Sequence, residues 1–479
     1  MNLQLLTDLY EFSMANGYYA TLPHDRQARF DVFYRRVPDN GSFVIVAGLQ
    51  QVVEQVQNWH FTKENIEYLT SLNEFTPEFL DYLSKIKNHC SIKALPEGTP
   101  VFPREPIISI SGPLIEAQLL ETFILNIINH QSLIATKSWQ INHAAQGRQI
   151  MEFGARRAQG PDADTYGARA AVIGGCTSTS NLQAASKFNI LAAGTMAHAW
   201  VESFSDELSA FQAWAKVYPD KVSLLVDTYD VLKSGVPNAI RVFKQVSAQG
   251  HQPVGIRIDS GDISQLAIKA RKMLDDAGFP KAKITASNAL DAHVVKSLLD
   301  EGAPIDNFGI GERLITSSSS PVLSGVYKLA EEKINDQWIP KIKVSDSREK
   351  ITLPGNKQVY RIYRQDNLHQ AIADVIALAD EHITAPLKVV NATSAATHAS
   401  QVLTNFNAKP LMQEYLGSNA SPIENDLFKI QQFSMDQVAE LPEATKRLVN
   451  PDWYPVYLTA TLAELQEQLI TKAQFTEEH

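Results

Sequence analysis

The amino-acid sequence predicts a parallel α/β barrel flanked by an α+β domain that the two ends of the chain build. Strand and helix patterns alternate from residue 222 to 310, and the N-terminal and C-terminal segments lack this repeat. The predicted strands end at regular intervals, at Asp227, Asp259, Asn288 and Gly311. An open doubly wound sheet would show the same repeat. We favour the barrel because consecutive units run on without a signal of reversal.

The overall composition excludes several classes of protein. The chain has 479 residues, a net charge of −10 and 44% hydrophobic residues, as expected for two or three folded domains. The acidic balance argues against a nucleic-acid binder, which needs a basic face, and leaves room for a local basic pocket for a phosphorylated small molecule. Two cysteines, Cys90 and Cys176, cannot form a disulfide scaffold, and no apolar run reaches the roughly 18–20 residues that cross a bilayer. Without a signal-peptide pattern, we expect a cytoplasmic protein with no membrane or nucleic-acid partner.

Residues 1–125 predict an N-terminal α+β domain. Alternating or apolar stretches indicate strands, and amphipathic stretches indicate helices. Thr76 and Pro77 start one helix, as its N-cap and first helical residue. The predicted elements are strands over Gln27–Arg35, Ser42–Ala47 and Ile107–Ser111, a helix over Gly48–Trp59, two helices within Lys63–Lys87, and a long helical region over Pro113–Ala145.

Residues 126–330 predict the barrel, and residues 331–479 predict a C-terminal segment that completes the flanking domain. Glycines follow several of the predicted barrel helices, where the backbone often takes a positive φ. The predicted barrel strands are Ile190–Ala193, Val222–Asp227, Val254–Asp259, Lys283–Ala286 and Ile305–Ile310, and the helices are Gly235–Gln249, Ile263–Ala277 and Ala292–Glu301. The C-terminal segment has strand character over Tyr327–Tyr363, broken by a turn at Pro354–Lys357.

Charged and polar side chains gather at the predicted strand ends, where parallel α/β proteins bind ligands. They are Asp227, Arg257, Asp259, Asp262 and Asn288. Three carboxylates and an arginine there could hold a metal, a ribose diol or a phosphate. Internal ion pairs and helix N-caps are the structural alternatives, and the cap is favoured for Asp262 because a helix begins at the next residue.

Three further segments are candidates for a site. Arg156 and Arg157 lie between glycines and suit a phosphate or a carboxylate, although a solvated basic turn would look the same. His198 follows a predicted strand end, which raises a functional role to even odds with a structural one. The stretch Ile173–Asn181 offers small residues and hydroxyls for close approach to a ligand. Its Cys176 has no base nearby in the sequence, so we do not expect a nucleophile.

Familiar nucleotide and hydrolase motifs are absent. The sequence has no GxxxxGK[ST] phosphate loop, no HExxH and no GxSxG, and Gly309–Gly311 lacks the third glycine of a dinucleotide fingerprint. The residues alone therefore predict a cytoplasmic α/β-barrel enzyme that acts on a phosphorylated substrate.

Taken together, these segments resemble the nicotinate phosphoribosyltransferase family. The resemblance covers roughly residues 7–330 in the right order and extends to PGNKQVYR at residues 354–361. The motifs are TDLYEFSMANGYY, EFGARRAQGPDA, IGGCTSTSN, GTMAHAW, LLVDTYD, IRIDSGD, ITASNALD, FGIGERLITS and VYKL. It implies the type II phosphoribosyltransferase fold, an irregular α/β barrel beside an α/β domain, working as a homodimer with the active site at the subunit interface.

The resemblance also implies a reaction. Nicotinate attacks C1 of 5-phosphoribosyl 1-pyrophosphate, giving nicotinate mononucleotide and pyrophosphate in NAD salvage. Coupled hydrolysis of ATP to ADP and phosphate passes through a phosphohistidine, which matches His198. Mg²⁺ and arginine would neutralise the pyrophosphate, and Asp259 matches the acidic residue beside the ribose and the metal.

Further substrate contacts follow from the same resemblance. Arg156 matches a phosphate-side arginine, and Arg257 matches an arginine that pairs with the nicotinate carboxylate. Phe153 and Tyr10 match two rings that sandwich the pyridine, with Tyr10 arriving from the partner subunit. The remaining predicted substrate contacts are Thr195, Ser178, Asp227 and Gly311.

One position departs from the family pattern, and one related activity stays open. Glu312 stands where many members carry threonine after the phosphate-loop glycines, and a carboxylate there would repel a phosphate unless Arg313 or Mg²⁺ intervenes. The alternative activity is a nicotinamide phosphoribosyltransferase on the same scaffold. A neutral amide favours an acidic acceptor, and Cys176–Asn181 supplies hydroxyls instead, which favours nicotinate.

Overall fold

A computed structural model of the chain describes residues 3–347, 350–392 and 400–476. The chain divides into two compact units, one made of Met1–Leu133 with Val322–His479 and the other of Ile134–Pro321. The first unit thus contains both ends of the chain. No helix in the described ranges is long and apolar enough to cross a membrane.

The N-terminal segment alternates helices with short antiparallel strands. The helices are α1 (Leu9–Thr21), α2 (Leu49–Gln57), α3 (Lys63–Ser71), α4 (Pro77–Lys85), α5 (Leu114–Gln118) and α6 (Glu121–Ala144). The strands are β1 (Gln27–Tyr34), β2 (Val44–Ile45), β3 (Ser91–Ala94), β4 (Pro100–Val101) and β5 (Ile108–Pro113), and a 3₁₀ turn covers Pro38–Asn40.

Local sequence accounts for these helices. Helix α2 buries Leu49, Val52, Val53 and Val56, an i, i+3, i+4, i+7 stripe that faces the core. Thr76 caps α4 through the backbone N–H of Phe79, with proline in the first turn, as predicted. The long helical region predicted over residues 113–145 is two helices, because the chain leaves helical pairing between α5 and α6.

The middle unit repeats strand and helix. Its strands are β6 (Gln149–Glu152), β7 (Ser178–Thr179), β8 (Ser223–Leu225), β9 (Gly255–Ile258), β10 (Lys283–Asn288) and β11 (Asn307–Ile310). Its helices are α7 (Pro161–Ile173), α8 (Leu182–Phe188), α9 (His198–Glu202), α10 (Glu207–Val217), α11 (Val236–Ala248), α12 (Ile263–Asp276), α13 (Ala292–Asp300) and α14 (Glu312–Ile315). One-turn 3₁₀ helices cover Ala155–Arg157 and Pro219–Lys221, and a π-helix covers Val231–Gly235.

The six strands of this unit form one parallel sheet in the order β7-β6-β11-β10-β9-β8. Strand residues such as Ile256, Ile284 and Phe308 are fully buried, as in a parallel sheet covered on both faces. The predicted parallel α/β class is therefore confirmed. The two edge strands, β7 and β8, do not pair with each other in the described part of the chain, so closure into a barrel stays a prediction.

One predicted strand of this unit is much shorter than expected. The stretch Ile190–Ala193 forms only a single parallel bridge, between Ala192 and Thr179. Two backbone hydrogen bonds make this bridge: the Thr179 N–H donates to the Leu191 carbonyl, and the Ala193 N–H donates to the Thr179 carbonyl. The following residues run without regular structure to His198, which opens α9.

The C-terminal segment is mainly β-structure. Its strands are β12 (Gly325–Ile334), β13 (Gln337–Pro340), β14 (Lys357–Arg364), β15 (Asn367–Leu378), β16 (Leu387–Asn391), β17 (Ser400–Leu403), β18 (Phe406–Pro410), β19 (Gln413–Leu416) and β20 (Val456–Thr459). Helices α15 (Leu427–Ala439) and α16 (Ala460–Thr476) and a 3₁₀ turn at Glu443–Lys446 complete it. The sheet orders are β13-β12-β1-β5-β3-β19, β17-β16-β20-β15-β14-β18 and β2-β4, so β12 and β19 join strands of the N-terminal segment.

Candidate active site

The carboxyl ends of the parallel strands bring several predicted site residues to one edge of the sheet. Asp227 follows β8 by two residues, Asp259 follows β9 directly, and Ser287 is the next-to-last residue of β10. Because these three strands are adjacent and parallel, their ends lie side by side. This edge is where ligands bind in parallel α/β folds.

Asp227 connects His198 to the next strand end. Its side chain is 1% exposed, and one oxygen, Oδ1, lies 3.3 Å from His198 Nε2. The other oxygen, Oδ2, accepts hydrogen bonds from Ser260 Oγ at 2.6 Å and from the Asp259 N–H at 3.2 Å. A carboxylate facing Nε2 favours the tautomer with its proton on that nitrogen, which leaves Nδ1 with a lone pair.

Asp259 is held by a second hydroxyl. The Ser287 Oγ donates a hydrogen bond to Asp259 Oδ1. Neither Ser260 nor Ser287 was predicted as a site residue. The available signal was their position, since each hydroxyl lies beside a polar strand end, in the segments IRIDS and TASN. Together they fix the orientation of both carboxylates.

Arg257 is aligned by the segment that precedes His198. Its Nη1 donates to Thr195 Oγ1 and its Nη2 donates to the Met196 carbonyl, each at 2.8 Å. Its Nε is buried and has no hydrogen-bond partner among the residues that the structure describes. Burial lowers the pKa of Arg257, whereas the carboxylates of Asp259 and Asp227 raise it. The guanidinium therefore retains donor capacity inside a partly buried site.

Phe153 packs closely against Gly309 of β11 and against Gly311, which follows that strand. The Phe153 N–H donates to the Ile310 carbonyl at 2.8 Å. A Cβ added to Gly309 would lie 2.6 Å from two carbons of the Phe153 ring, and one added to Gly311 would lie 2.9 Å from the Phe153 carbonyl oxygen. Only glycine permits this approach, so the two glycines set the position of the ring.

The basic turn after β6 lies on the surface. Arg156 and Arg157 are exposed on the 3₁₀ turn Ala155–Arg157. Arg157 Nε lies 3.5 Å from Glu312 Oε2. Glu312, which departs from the family pattern, thus has a cation beside it, and Arg313 pairs instead with Asp291.

Other candidates have structural surroundings. Asp262 caps α12 by accepting from the Gln265 N–H at 3.1 Å, which confirms the structural alternative. The Asn288 side chain accepts from the Ala289 N–H at 2.7 Å. Ser178 is buried in β7, where it pairs with Met151. Burial raises the pKa of Cys176 to about 12, so its thiol stays protonated at neutral pH.

Tyr10 was predicted to reach the site from the partner subunit, and Mg²⁺ was predicted to bind at Asp259. Tyr10 belongs to the other compact unit, on α1, with 46% of its surface exposed. Among the described residues, no group of three or more His, Cys, Asp or Glu side chains is arranged to hold a metal ion. A Mg²⁺ ion at the predicted ligand Asp259 would take its remaining ligands from substrate and water, which is the usual mode for this ion.

Family models and related proteins match most of the chain. Three models match the chain: the nicotinate phosphoribosyltransferase (NAPRTase) N-terminal domain at residues 5–129, the NAPRTase family at 148–372 and the nicotinate phosphoribosyltransferase C-terminal domain at 356–466. Nicotinate phosphoribosyltransferase from Bacillus subtilis (strain 168) is 42% identical over 459 residues, covering 96% of this chain and 93% of that protein. The Caenorhabditis elegans protein of the same name is 32% identical over 528 residues, covering 97% and 93%.

A solved structure extends the similarity to the whole fold. The crystal structure of human nicotinic acid phosphoribosyltransferase superposes with a TM-score of 0.86 at 28% identity, covering 97% of this chain and 100% of that one. The ordered motifs, the parallel sheet with its strand-end site and these relatives lead to one conclusion. The chain belongs to the nicotinate phosphoribosyltransferase family.

Proposed function

We propose that this protein transfers the phosphoribosyl group of 5-phosphoribosyl 1-pyrophosphate to the ring nitrogen of nicotinate. The new C1–N bond forms as the bond from C1 to the pyrophosphate oxygen breaks, which gives nicotinate mononucleotide and pyrophosphate. The observation that carries the proposal is the strand β9, which places Arg257 and Asp259 two residues apart at the sheet edge, beside His198 and Asp227. Membership of the family supplies the substrates.

Arg257 would bind the nicotinate carboxylate. Thr195 and Met196 each accept from one terminal nitrogen of the guanidinium, and each of these nitrogens keeps a second N–H. A ligand can accept hydrogen bonds from these remaining N–H groups. An anionic carboxylate does so with a charge-assisted hydrogen bond, which a neutral amide provides less well. We therefore favour nicotinate over nicotinamide.

Asp259 would act at the ribose. Charge develops on C1 as pyrophosphate leaves, and a carboxylate held by Ser287 is oriented in advance. Mg²⁺ bound to Asp259 and substrate phosphates would neutralise charge on the leaving group. Arg156 would contact phosphate, and Gly311 would bring its backbone close to it. Phe153 would stack on the pyridine, with Tyr10 of the partner subunit on the other face of the ring.

ATP would be coupled through His198. With the Nε2–H of His198 donated to Asp227, Nδ1 would be the nucleophile. The Nδ1–phosphorus bond forms as the bond from the γ-phosphorus to the bridging oxygen breaks, which releases ADP, and water later releases phosphate. We further propose the irregular barrel, a homodimer and a cytoplasmic location, as the family resemblance and composition imply.

Two substitutions test this assignment. Arg257→Gln should lower kcat/KM for nicotinate by about 100-fold, because a charge-assisted contact is lost, while its use of nicotinamide falls less. Mononucleotide formation measured by chromatography decides the result. An equal loss for both substrates would contradict a carboxylate-binding role.

His198→Ala should abolish the stimulation by ATP and leave a slow reaction that is independent of ATP. The same assay, run with and without ATP, measures both rates. Equal stimulation in the variant and the wild type would contradict coupling through His198.

A further inference from the structure

Glu152 is a buried carboxylate that the proposed reaction does not use. It is the last residue of β6 and directly precedes Phe153. Its side chain is fully buried, and its two oxygens accept hydrogen bonds from uncharged donors. Such a group is costly to bury, so its partners indicate what it does there.

The two oxygens of Glu152 join two neighbouring strand ends. Oε1 accepts a hydrogen bond from the Gly154 N–H, and Oε2 accepts one from Thr179 Oγ1 at 2.5 Å. Thr179 Oγ1 in turn accepts from the Asn181 N–H at 3.0 Å. The side chain therefore ties the turn after β6 to the end of β7.

This tie acts on Phe153 from the side opposite to β11. The Phe153 N–H is fixed to Ile310, and the next peptide N–H, that of Gly154, is fixed to Glu152. A Cβ on Gly154 would lie 2.5 Å from the Cβ of Ile315 and 2.8 Å from Glu152 Oε1, so the turn has no room to shift in that direction. The ring of Phe153 and the start of the Arg156 turn are both set by this arrangement.

We propose that Glu152 is a positioning residue for the pyridine substrate, whose ionised carboxylate holds the Phe153 ring in place by bonding Gly154 and Thr179. The inference rests on the proposed function and goes beyond it, because it concerns a side chain that contacts no substrate. Two accepted hydrogen bonds need both oxygens as acceptors, a condition that the ionised carboxylate meets fully and the protonated acid does not.

The surroundings of Glu152 make its ionisation sensitive to pH. Burial raises its pKa to about 7, while the hydrogen bonds from Thr179 and Gly154 lower it. The titratable groups that face it are Asp164 on α7, whose charge raises the pKa further, and the thiol of Cys176, which stays protonated. Asp164 itself accepts a hydrogen bond from Asn181 Nδ2 at 2.5 Å.

Function and stability should therefore respond to pH in opposite directions. Because the pKa is higher in the folded chain than its ordinary value of 4.5, the stabilising contribution of this group is complete below 4.5 and is lost as pH rises through about 7. The positioning role needs the charge and is lost as pH falls through the same value. A residue with a merely structural role would not separate the two effects.

The test is Glu152→Gln, which keeps the shape and removes the charge. KM for nicotinate at pH 8, measured without ATP to leave His198 unphosphorylated, should rise about tenfold. The wild-type fall in kcat/KM below pH 7 should be absent from the variant. Its unfolding midpoint in urea at pH 8 should equal or exceed that of the wild type.

Asp164→Asn is the matched control, since it removes a neighbouring charge that bonds neither Gly154 nor Thr179. It should move the fall in kcat/KM to lower pH and leave KM at pH 8 unchanged. An unchanged KM and pH profile in Glu152→Gln, or a rise in KM that parallels a loss of stability, would overturn the inference. Absence of turnover in the wild type would instead overturn the proposed function, and this inference with it.

Discussion

At the scale of single residues, the Asp227 side chain contacts two parts of the candidate site at once. Its nearly inaccessible carboxylate contacts His198 through one oxygen and the Asp259–Ser260 strand end through the other. The histidine that would receive a phosphoryl group and the strand that would bind the ribose thus share one acceptor. The Asp227 side chain therefore links His198 Nε2 directly to the backbone of Asp259.

Asp227→Asn tests this shared role. An amide has one acceptor oxygen where the carboxylate has two, so it cannot serve both sides. Formation of phosphohistidine from labelled ATP should fall at least about tenfold, because a charge-assisted hydrogen bond is lost. Asp230→Asn is the control, since Asp230 bonds the backbone of Leu232 and Lys233 instead. Normal phosphorylation in Asp227→Asn would contradict the role.

At the scale of elements, the four residues between the end of β9 and the start of α12 contain one candidate site carboxylate and one helix cap. Asp259 and Asp262 look alike in the sequence, and the structure gives the second a cap on α12. A cap stabilises its helix without contacting a ligand. Two similar carboxylates therefore predict opposite consequences of mutation.

Asp262→Ala should lower the free energy of unfolding by about 1 kcal/mol through loss of the cap and leave the kinetic constants unchanged. Asp259→Asn should lower kcat by about 100-fold and leave the urea midpoint unchanged. Steady-state kinetics and urea unfolding of both variants give the comparison. The assignment fails if Asp262→Ala loses activity or Asp259→Asn loses stability alone.

The contact between β6 and β11 makes a second prediction for an element. Gly309→Ala places a Cβ against the Phe153 ring, which must shift. Overpacking of this kind costs about 1–3 kcal/mol, and we expect KM for nicotinate to rise about tenfold. Kinetics with nicotinate measure the effect. An unchanged KM would show that the ring does not contact the substrate.

Much of the middle unit could be predicted because its signals are local. Apolar strands, amphipathic helices and glycines after the helices located β9, α12, β10 and α13 within a few residues. The stretch 190–193 was predicted as a strand from its apolar residues. It forms a single bridge because its neighbour β7 is only two residues long. Hydroxyls such as Ser260 were missed because their value lies in contacts across strands that no local pattern encodes.

At the scale of the whole molecule, the chain joins a parallel sheet unit to a unit made from both of its ends. Strand β12 lies beside β1 although about 300 residues of sequence separate them. Pairing at that distance follows from the fold and not from a periodicity, so the residue pattern indicated that both chain ends build the flanking domain but not which of their strands pair. The proposed role of Tyr10 in the partner subunit's site also concerns the whole molecule.

Complementation tests that role. Tyr10→Ala and Phe153→Ala should each be nearly inactive alone. If Tyr10 serves the partner's site, random exchange of subunits gives mixed dimers with one intact site, and about a quarter of wild-type activity should return. Mixed samples are assayed after subunit exchange, with each variant alone as control. No recovery on mixing would place Tyr10 at the site of its own chain.

The most direct test of the central claim is the choice of pyridine substrate. The purified protein is given 5-phosphoribosyl 1-pyrophosphate and Mg²⁺ with either nicotinate or nicotinamide, each with and without ATP, and the mononucleotide is quantified. We predict nicotinate mononucleotide, formed faster with ATP, as the proposed roles of Arg257 in binding a carboxylate and of His198 in accepting a phosphoryl group require. Turnover of nicotinamide alone, or of neither substrate, would contradict the account.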